Sequence, residues 1–352
     1  MPLTICSAGV DSLYVSFAGT VDVRLLGHLE ELRLQAQADG APVLLPAGER
    51  RMIVHANGSG HYRYWLQCSD FQVLVAQGRK LPPVYLKLSS AYLHQLGPIA
   101  ALRDAETFVR ATLKGQLGPS QASRVDMYAD FQGWIPNELD LRRFVTRARR
   151  SAQHFDAVRA YFDGQRFTGY QFGRDQLVAR LYDKGREAAE SGKEAWMREV
   201  WGPRLDPAAP VWRLEFQLRR EAIETFNVRT SEEAIVCRQD IWRYCTQEWL
   251  SLRVPTGDRQ RDRWPVSPEW LELSRVSIGL QENGLIRRRI REVQEGRLVA
   301  GATGYFTSLA AVHDVREMDA ALELLEERVA DHLDQRGLTF AQAVARKQSG
   351  SV

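Results

Sequence analysis

Three segments of the chain alternate between polar and apolar residues, and this pattern constrains the fold more than any other feature. The segments are Ser123–Gln132 (SRVDMYADFQ), Leu177–Asp183 (LVARLYD) and Pro210–Arg219 (PVWRLEFQLR). Successive side chains of a strand point to opposite faces, so each segment has one apolar face and one face of acids, cations and tyrosines. The pattern predicts an antiparallel sheet with helices on one face and solvent on the other. Cross-strand ion pairs with only a structural role would give the same pattern.

The order of the predicted elements repeats along the chain. A strand, a helix, several strands and a helix occur up to about residue 118, and the same order follows from 119 to 226. The two blocks also open alike, with VDSLYVSFAG from Val10 and VDMYADFQG from Val125. We predict an α+β fold with a duplicated, saddle-like antiparallel sheet over 1–226. Residues 227–352 are predicted to form a mainly helical C-terminal domain.

The composition is that of an ordinary soluble globular protein. The chain has 352 residues, of which 44% are hydrophobic and 26% charged. No apolar run approaches the ~18 residues that a membrane span needs, and the N-terminus does not resemble a signal peptide. The four cysteines form no CxxC pair. We therefore expect a cytoplasmic protein with reduced thiols, no membrane association and no structural zinc site.

Positive charge is concentrated in the second block. Leu139–Arg220 contains 17 Lys and Arg against 11 Asp and Glu, a net of +6, whereas the whole chain has a net charge of +3. A predicted helix over Leu139–Gln153 is rich in arginine, and a second run follows at 287–291. Arginine-rich faces suit phosphate contacts, although a solvated helix face would look the same. The candidate DNA contacts are Arg142, Arg143 and Arg147 on this helix and Arg174, Arg213 and Arg219 on strands.

The pentapeptide RLYDK, Arg180 to Lys184, is the candidate catalytic motif. A tyrosine flanked on its own face by two cations fits a nucleophilic phenol, because the cations would bind the phosphodiester and favour the phenolate. The alternative is a surface tyrosine packed under two solvated side chains. On the neighbouring strands, Asp126 and Glu215 could bind a divalent metal through oxygen ligands, with Asp130 a weaker candidate.

These motifs resemble those of the replication initiation factor family. This family comprises trans-acting rolling-circle Rep proteins of plasmids, related phage replication proteins and the relaxases of some conjugative elements. The resemblance rests on RVDMYADFQG, RLYDKGRE and WRLEFQLRR and covers Val10–Glu224. It implies that Tyr182, in the motif R-x-Y-[DN]-K, nicks one DNA strand at an origin hairpin. It also implies that Asp126 and Glu215 hold Mg²⁺ or Mn²⁺, and that the fold is a duplicated antiparallel saddle.

The resemblance implies a metal-dependent DNA-nicking and strand-joining transesterase. Tyr182 would form a 5′-phosphotyrosine, while Arg180, Lys184 and the metal would stabilise the charge on phosphorus. The released 3′-OH would prime a host polymerase. The chain lacks a GxxxxGK[ST] phosphate loop, so unwinding would need a separate host helicase. Single-stranded or hairpin origin DNA is the expected partner, and a homodimer would suit origins that are inverted repeats.

Other functions fit parts of the sequence. A relaxase would use the same chemistry, and a non-catalytic DNA-binding protein would need only the basic surface. The seven histidines form no His-x-His pair of the kind that other nickases use, and no recombinase set of arginines and histidine precedes a tyrosine. Tyr14, Tyr128 and Tyr161 are rival nucleophiles without predicted flanking cations. The nickase hypothesis requires Tyr182, Asp126 and Glu215 to converge on one sheet face.

Overall fold

The computed structural model describes residues 3–47, 50–78, 80–147, 158–278 and 302–344. The strands are β1 (Thr4–Thr20), β2 (Val43–Ala47), β3 (Arg50–Val54), β4 (Tyr64–Gln67), β5 (Phe71–Val75), β6 (Val84–Leu88), β7 (Gln116–Gln132), β8 (Phe144–Thr146), β9 (Val158–Asp163), β10 (Arg166–Arg174), β11 (Leu177–Asp183), β12 (Trp212–Arg219) and β13 (Leu250–Leu252). The helices are α1 (Val23–Asp39), α2 (Ser90–Leu96), α3 (Pro98–Leu113), α4 (Lys184–Glu190), α5 (Glu194–Trp201), α6 (Arg220–Glu224), α7 (Ser231–Val236), α8 (Arg238–Tyr244), α9 (Pro268–Ser274), α10 (302–312) and α11 (Met318–Asp334).

The chain forms two compact units. The first comprises Met1–Leu25 and Asp70–Gly284, and the second comprises Leu26–Ser69 and Leu285–Val352. The first unit thus continues well past residue 226, where the sequence pattern placed a domain boundary. The reason is packing, because the Trp242 ring of α8 lies edge-on to Phe216 of β12, with their centroids 5.3 Å apart.

The first unit is built on an antiparallel sheet. Its strands lie in the order β5-β6-β1-β7-β12-β11-β10-β9. The two longest, β1 and β7, have 17 residues each and pair side by side at the centre. On one side β1 pairs with β6 and β6 with β5; on the other β7 pairs with β12 and β12 with β11. The predicted duplicated antiparallel sheet is therefore confirmed, and the α+β class with it.

The predicted arginine-rich helix over Leu139–Gln153 is wrong in its described part. Glu138–Arg143 forms a 3₁₀ turn, and β8 follows and pairs with β13 in a separate two-stranded sheet. The ring of Phe144 packs 4.6 Å from that of Phe172 and 5.8 Å from that of Trp270. The free energy gained by burying Phe144 outweighs the preference for a helix that the spacing of the residues predicts. Residues 148–157, with Arg149 and Arg150, lie outside the described part.

Two other predicted helices are interrupted. The helix predicted from Lys184 to Val200 divides into α4 and α5 at Gly192, whose φ of 67° is the left-handed conformation that glycine adopts readily. The helix predicted over Ser231–Leu252 divides into α7, α8 and a short π-helical turn, and its last residues form β13.

The second unit contains α1, the antiparallel strands β2, β3 and β4, and the C-terminal helices. Glu30 of α1 accepts hydrogen bonds from Arg33 at 2.8 Å and Arg63 at 2.7 Å. These bonds hold the pKa of Glu30 below its usual range. Residues 302–312, Met318–Asp334 and 340–344 are helical, as the sequence predicts, whereas the arginine run at 287–291 lies outside the described residues. Among the helices described, none is both long and apolar enough to cross a membrane.

Candidate active site

The polar face of the first unit's sheet carries its chemically active residues in cross-strand rows. Residues directly opposite each other in antiparallel strands point to the same face. The Tyr182 row consists of Tyr161, Gly169, Tyr182, Arg213, Asp130 and Ser7. The adjacent Glu215 row consists of Arg159, Gln171, Arg180, Glu215, Tyr128 and Gly9. The third, the Asp126 row, consists of Val178, Gln217, Asp126 and Ser12.

Tyr182, Glu215 and Asp126 therefore share a face in three successive rows. The Tyr182 hydroxyl donates a hydrogen bond to Glu215 Oε2 at 3.2 Å. Arg180 donates to the other oxygen of Glu215 at 2.9 Å and to Gln217 Oε1 at 3.2 Å. One carboxylate thus holds a phenol and a guanidinium together. This arrangement brings the candidate nucleophile, an acceptor for its proton and a cation to one place.

The Tyr182 phenol is neutral in this environment. Burial raises its pKa well above the usual value; the charge of Arg213 opposes this rise, and that of Glu215 adds to it. Lys184 does not change this balance, because its ammonium lies 5.9 Å from the ring centroid and is paired with Glu187. The expectation that two flanking cations favour the phenolate is therefore wrong. Ionisation of the phenol requires a base, and Glu215 already contacts its proton.

Asp126 lies next to this group and is buried. The Arg124 guanidinium donates to Asp126 Oδ1 at 2.8 Å. Burial raises the pKa of Asp126 to about 6; the hydrogen bond from Arg124 opposes the rise, and the charge of Glu215 adds to it. Asp126 therefore changes its charge near neutral pH, unlike an exposed aspartate.

Asp130 and Arg213 form a buried ion pair beneath the site. Arg213 Nε lies 2.6 Å from Asp130 Oδ1 and Nη2 lies 2.9 Å from Oδ2, and the Trp201 indole donates to the same carboxylate at 2.8 Å. Both side chains are completely inaccessible to solvent. Arg213, a predicted DNA contact, therefore cannot reach DNA in this structure. Asp130, a predicted metal ligand, is committed to three donors.

The carboxylates do not form a metal site as they are placed. Within the described ranges, no group of three or more His, Cys, Asp and Glu side chains is arranged to hold a metal ion. Asp126 is bound by Arg124 and Glu215 by Arg180. A metal would therefore have to displace a guanidinium from Asp126 and from Glu215, the two main predicted ligands, so the requirement for Mg²⁺ or Mn²⁺ stays a prediction.

Sequence reasoning missed Asp11 and His94. Asp11 occupies a bulge in β1, accepts from Ser90 Oγ and Arg213 Nη1, both at 2.9 Å, and lies 4.0 Å from His94 Nε2. Burial would raise the pKa of Asp11, but the charge of Arg213 and the smaller contributions of His94, Lys184 and Ser90 together outweigh burial and hold this pKa below its usual range. Burial lowers the pKa of His94 to about 4, so the imidazole is neutral. The repeat VDSLY/VDMYAD was the available signal, since it aligns Asp11 with Asp126.

The remaining predicted DNA contacts lie on several different elements. Arg174 and Arg219 are exposed at strand ends, and Arg142 is exposed on the 3₁₀ turn. Arg143 is paired with Asp140 at 2.7 Å, and Arg147 with Glu248 at 3.2 Å. These arginines therefore do not form the helical face that the sequence predicts.

The rival tyrosines differ sharply in environment. Tyr128 is buried, with its hydroxyl 2.8 Å from Ser7 Oγ, so it cannot meet a phosphate. Tyr161 is exposed and donates to Gln171 at 3.3 Å. Tyr14 lies between Lys87 and Arg124, whose charged groups are 5.7 and 5.0 Å from its ring centroid. The expectation that Tyr14 lacks flanking cations is therefore wrong, and Tyr14 is the natural control for Tyr182.

Among the comparisons with known proteins, only the comparison with solved structures found a similar protein. No protein-family model matches the chain, and none of the curated proteins matches it. A solved structure of a rolling-circle replication initiator protein from Geobacillus stearothermophilus is similar to this chain. It has 16% sequence identity, covers 77% of this chain and 95% of its own, and superposes with a TM-score of 0.46. A likeness at that level carries no conclusion about activity, which has to come from the site itself.

Proposed function

We propose that this protein nicks one DNA strand through Tyr182 and so initiates rolling-circle replication. The observation that carries the proposal is the shared carboxylate of Glu215, which accepts from the Tyr182 hydroxyl at 3.2 Å and from Arg180 at 2.9 Å. A nucleophile, its base and a phosphate-binding cation are therefore in contact. The motif resemblance over Val10–Glu224 supports DNA as the substrate.

The proposed reaction starts with proton transfer. As the Tyr182 oxygen attacks phosphorus, its proton passes to Glu215 Oε2. The new O–P bond forms, the bond from phosphorus to the 3′-oxygen breaks, and that oxygen takes a proton from water. The products are a 5′-phosphotyrosine and a 3′-OH. The linkage conserves the phosphodiester bond energy, so the reverse reaction rejoins the strand without ATP.

Arg180 has a second role in this scheme. Before the reaction, the Glu215 carboxylate neutralises the Arg180 guanidinium. When Glu215 takes the phenol proton it loses its charge, and the positive charge of Arg180 becomes available to the phosphorane at the moment when negative charge accumulates there. Proton transfer and charge stabilisation are thus coupled through one side chain.

The surrounding surface supports binding of a strand. Arg159 is exposed and continues the Glu215 row two strands beyond Arg180. Lys87 and Arg124 flank Tyr14 on the same sheet, and Arg219 lies opposite Arg124. Cations on both sides of Tyr182 suit a phosphate backbone that crosses several strands.

The decisive experiment uses labelled single-stranded oligonucleotides tiled across the replicon DNA that flanks the protein's own gene, with Mn²⁺ or Mg²⁺. We expect a covalent adduct that survives SDS, whose tryptic peptide carries the nucleotide on Tyr182. Tyr182→Phe should abolish the adduct. Tyr14→Phe, a matched change at a tyrosine with two neighbouring cations, should keep it.

A non-catalytic protein and a different nucleophile would each give a different result. Binding without an adduct to any tile would identify a non-catalytic DNA-binding protein. An adduct that persists in Tyr182→Phe but is lost in Tyr14→Phe would place the nucleophile on β1. Transfer of the bound strand to a second DNA end is expected of both an initiator and a relaxase. Chelation of metal with EDTA tests the predicted ion, and an undiminished adduct would refute it.

A further inference from the structure

A groove opens beside Tyr182 on the β9–β10–β11 side of the sheet. It has a volume of about 420 Å³, and its lining includes Tyr161, Gly169, Tyr182 and Arg186. This volume is within the range of about 300–1,000 Å³ that is typical of small-molecule sites. The reaction proposed above uses only the hydroxyl end of Tyr182 and leaves this groove without a role.

The groove exists because a glycine separates two tyrosines. Gly169 pairs with Tyr161 on one side and with Tyr182 on the other. A Cβ atom at Gly169 would lie 2.4 Å from the carbonyl oxygen of Leu181 and 3.0 Å from Tyr182 Cβ. No residue with a side chain fits there, so the floor between the tyrosines is bare backbone.

The spacing of the tyrosines suits one planar ring. Strands in a sheet lie about 4.8 Å apart, so residues two strands apart are separated by roughly 10 Å. Offset-stacked aromatic rings have centroids about 4.5–7 Å apart. A single aromatic ring therefore fits between Tyr161 and Tyr182, and Tyr161 is exposed enough to stack on it.

The charge of the groove selects which part of a nucleic acid enters. Four carboxylates, those of Asp163, Asp183, Glu187 and Glu190, line it together with Arg186. Arg186 pairs with Asp163 and Glu190, Arg166 with Asp183, and Lys184 with Glu187. This surface therefore keeps a net negative charge, which disfavours a phosphate. It accepts hydrogen bonds from exocyclic amino groups, as carboxylates do from the N4 amine of cytosine.

We propose that the groove binds one unpaired, amino-bearing nucleobase next to the scissile phosphate, stacked on Tyr161. The proposal rests on the nicking function proposed above, because it places the base beside the phosphate that Tyr182 attacks. The DNA phosphates would lie along the Glu215 row, next to its cations Arg159 and Arg180, while this base would point into the groove beside Tyr182. Tyr161 then positions the base for nicking, and the carboxylates of the groove select which base is accepted.

The test uses the shortest tiled oligonucleotide that gives the adduct, with Tyr182→Phe protein so that binding is measured without reaction. Each nucleotide is replaced in turn by an abasic one. We expect one position, within two nucleotides of the nick, at which the loss of the base weakens binding by roughly 5- to 150-fold, the range for one stacked base. Thymine at that position should bind more weakly than adenine, cytosine or guanine.

Tyr161 variants connect this effect to the groove. In the Tyr182→Phe background, Tyr161→Ala should weaken binding of the intact oligonucleotide by a similar factor. In this variant the abasic substitution should cause no further loss of affinity. Tyr161→Phe should behave like the parent, since its ring still stacks. If the adduct forms but no abasic position is coupled to Tyr161, the groove proposal fails and the nicking proposal stands. If no adduct forms on any tile, both proposals fail.

Discussion

The two halves of the central sheet share a topology and differ in chemistry. In the second half β7 pairs with β12 and β12 with β11; in the first half β1 pairs with β6 and β6 with β5. Strand β11 carries Arg180 and Tyr182 on its polar face, whereas the matching strand β5 carries Gln72 and Leu74 there. The backbone hydrogen bonds between the strands do not depend on these side chains. One copy can therefore hold a reactive site while the other has only a structural role.

The first half still contributes to the site of the second. Asp11 of β1 pairs with Arg213 of β12, 202 residues away in the chain. Arg213 in turn holds Asp130 of β7 and stacks over the Tyr128 ring at 4.0 Å. The two copies therefore contribute different groups to the site. The first supplies the counter-charge of Asp11, and the second supplies the groups that would meet DNA.

The largest expected effect tests whether Glu215 is the base. Glu215→Gln keeps the size of the side chain but cannot take the phenol proton, so we expect the nicking rate to fall by about 10²–10⁴-fold. DNA binding should be retained. Lys87→Gln on β6, the first-half counterpart of β12, should leave the rate at saturating DNA unchanged. Single-turnover adduct formation measures both, and an unchanged rate in Glu215→Gln would remove this residue from the mechanism.

The next effect concerns the buried ion pair. Arg213→Met leaves Asp130 buried without its charged partner, and we expect the free energy of unfolding to fall by about 3–5 kcal/mol. Lys87→Met, at the half-exposed position on β6, should change it by less than about 1 kcal/mol. Urea unfolding followed by tryptophan fluorescence measures the difference. The double change Arg213→Met with Asp130→Leu should recover only part of the loss, because Asp11 and the Trp201 indole also lose their partners. Full recovery would show that these two contacts do not contribute to stability.

A smaller effect concerns pH. Burial raises the pKa of Asp126 to about 6 in the folded protein, whereas an unfolded aspartate titrates near pH 3.9. The folded state holds this proton more tightly, so Asp126 favours folding below about pH 4, and that contribution disappears as the pH rises to 6. Asp126→Asn should lack this dependence. Its stability relative to the parent should therefore rise by roughly 1–3 kcal/mol between pH 4 and 7.

Urea unfolding of parent and Asp126→Asn at pH 4, 5, 6 and 7 checks this prediction. The matched change Asp22→Asn, at a half-buried carboxylate that accepts from backbone N–H groups at the start of α1, is the control. A parent and variant whose stabilities run parallel across this range would show that Asp126 titrates like an exposed aspartate.

The smallest expected effect concerns the cations of the first half. Burial lowers the pKa of Lys87, and the neighbouring charge of Arg124 lowers it further, so a bound phosphate would relieve this repulsion. Lys87→Gln should weaken single-stranded DNA binding equally for all sequences and reduce the slope of log K against log salt by about 1. Fluorescence anisotropy at several salt concentrations measures the slope. A loss that depends on sequence would instead indicate a base contact.

The sequence alone determined the polar face and its members. Alternation with a period of two is a local property of a strand, so it placed each of Tyr182, Glu215 and Asp126 on the polar face of its own strand. The pairing of β7, β12 and β11 then brought the three to one face of the sheet. The repeat of VDSLY and VDMYAD likewise predicted the duplication, because two similar segments of backbone form similar strands.

Only the tertiary structure decided which charged residues are available. Arg213 and Glu215 alternate with apolar neighbours in the same way. Arg213 is nevertheless buried against Asp130, which also accepts from Trp201, whereas Glu215 contacts Tyr182. Burial depends on what packs over a strand, and that partner comes from elsewhere in the chain. For the same reason the arginines around residue 142 gave a helical pattern, but the segment forms a 3₁₀ turn over Glu138–Arg143 and a strand over Phe144–Thr146, where Phe144 is buried. The spacing of residues along a strand determines to which face each side chain points. Packing against distant parts of the chain determines the exposure, the charge state and the partner of that side chain.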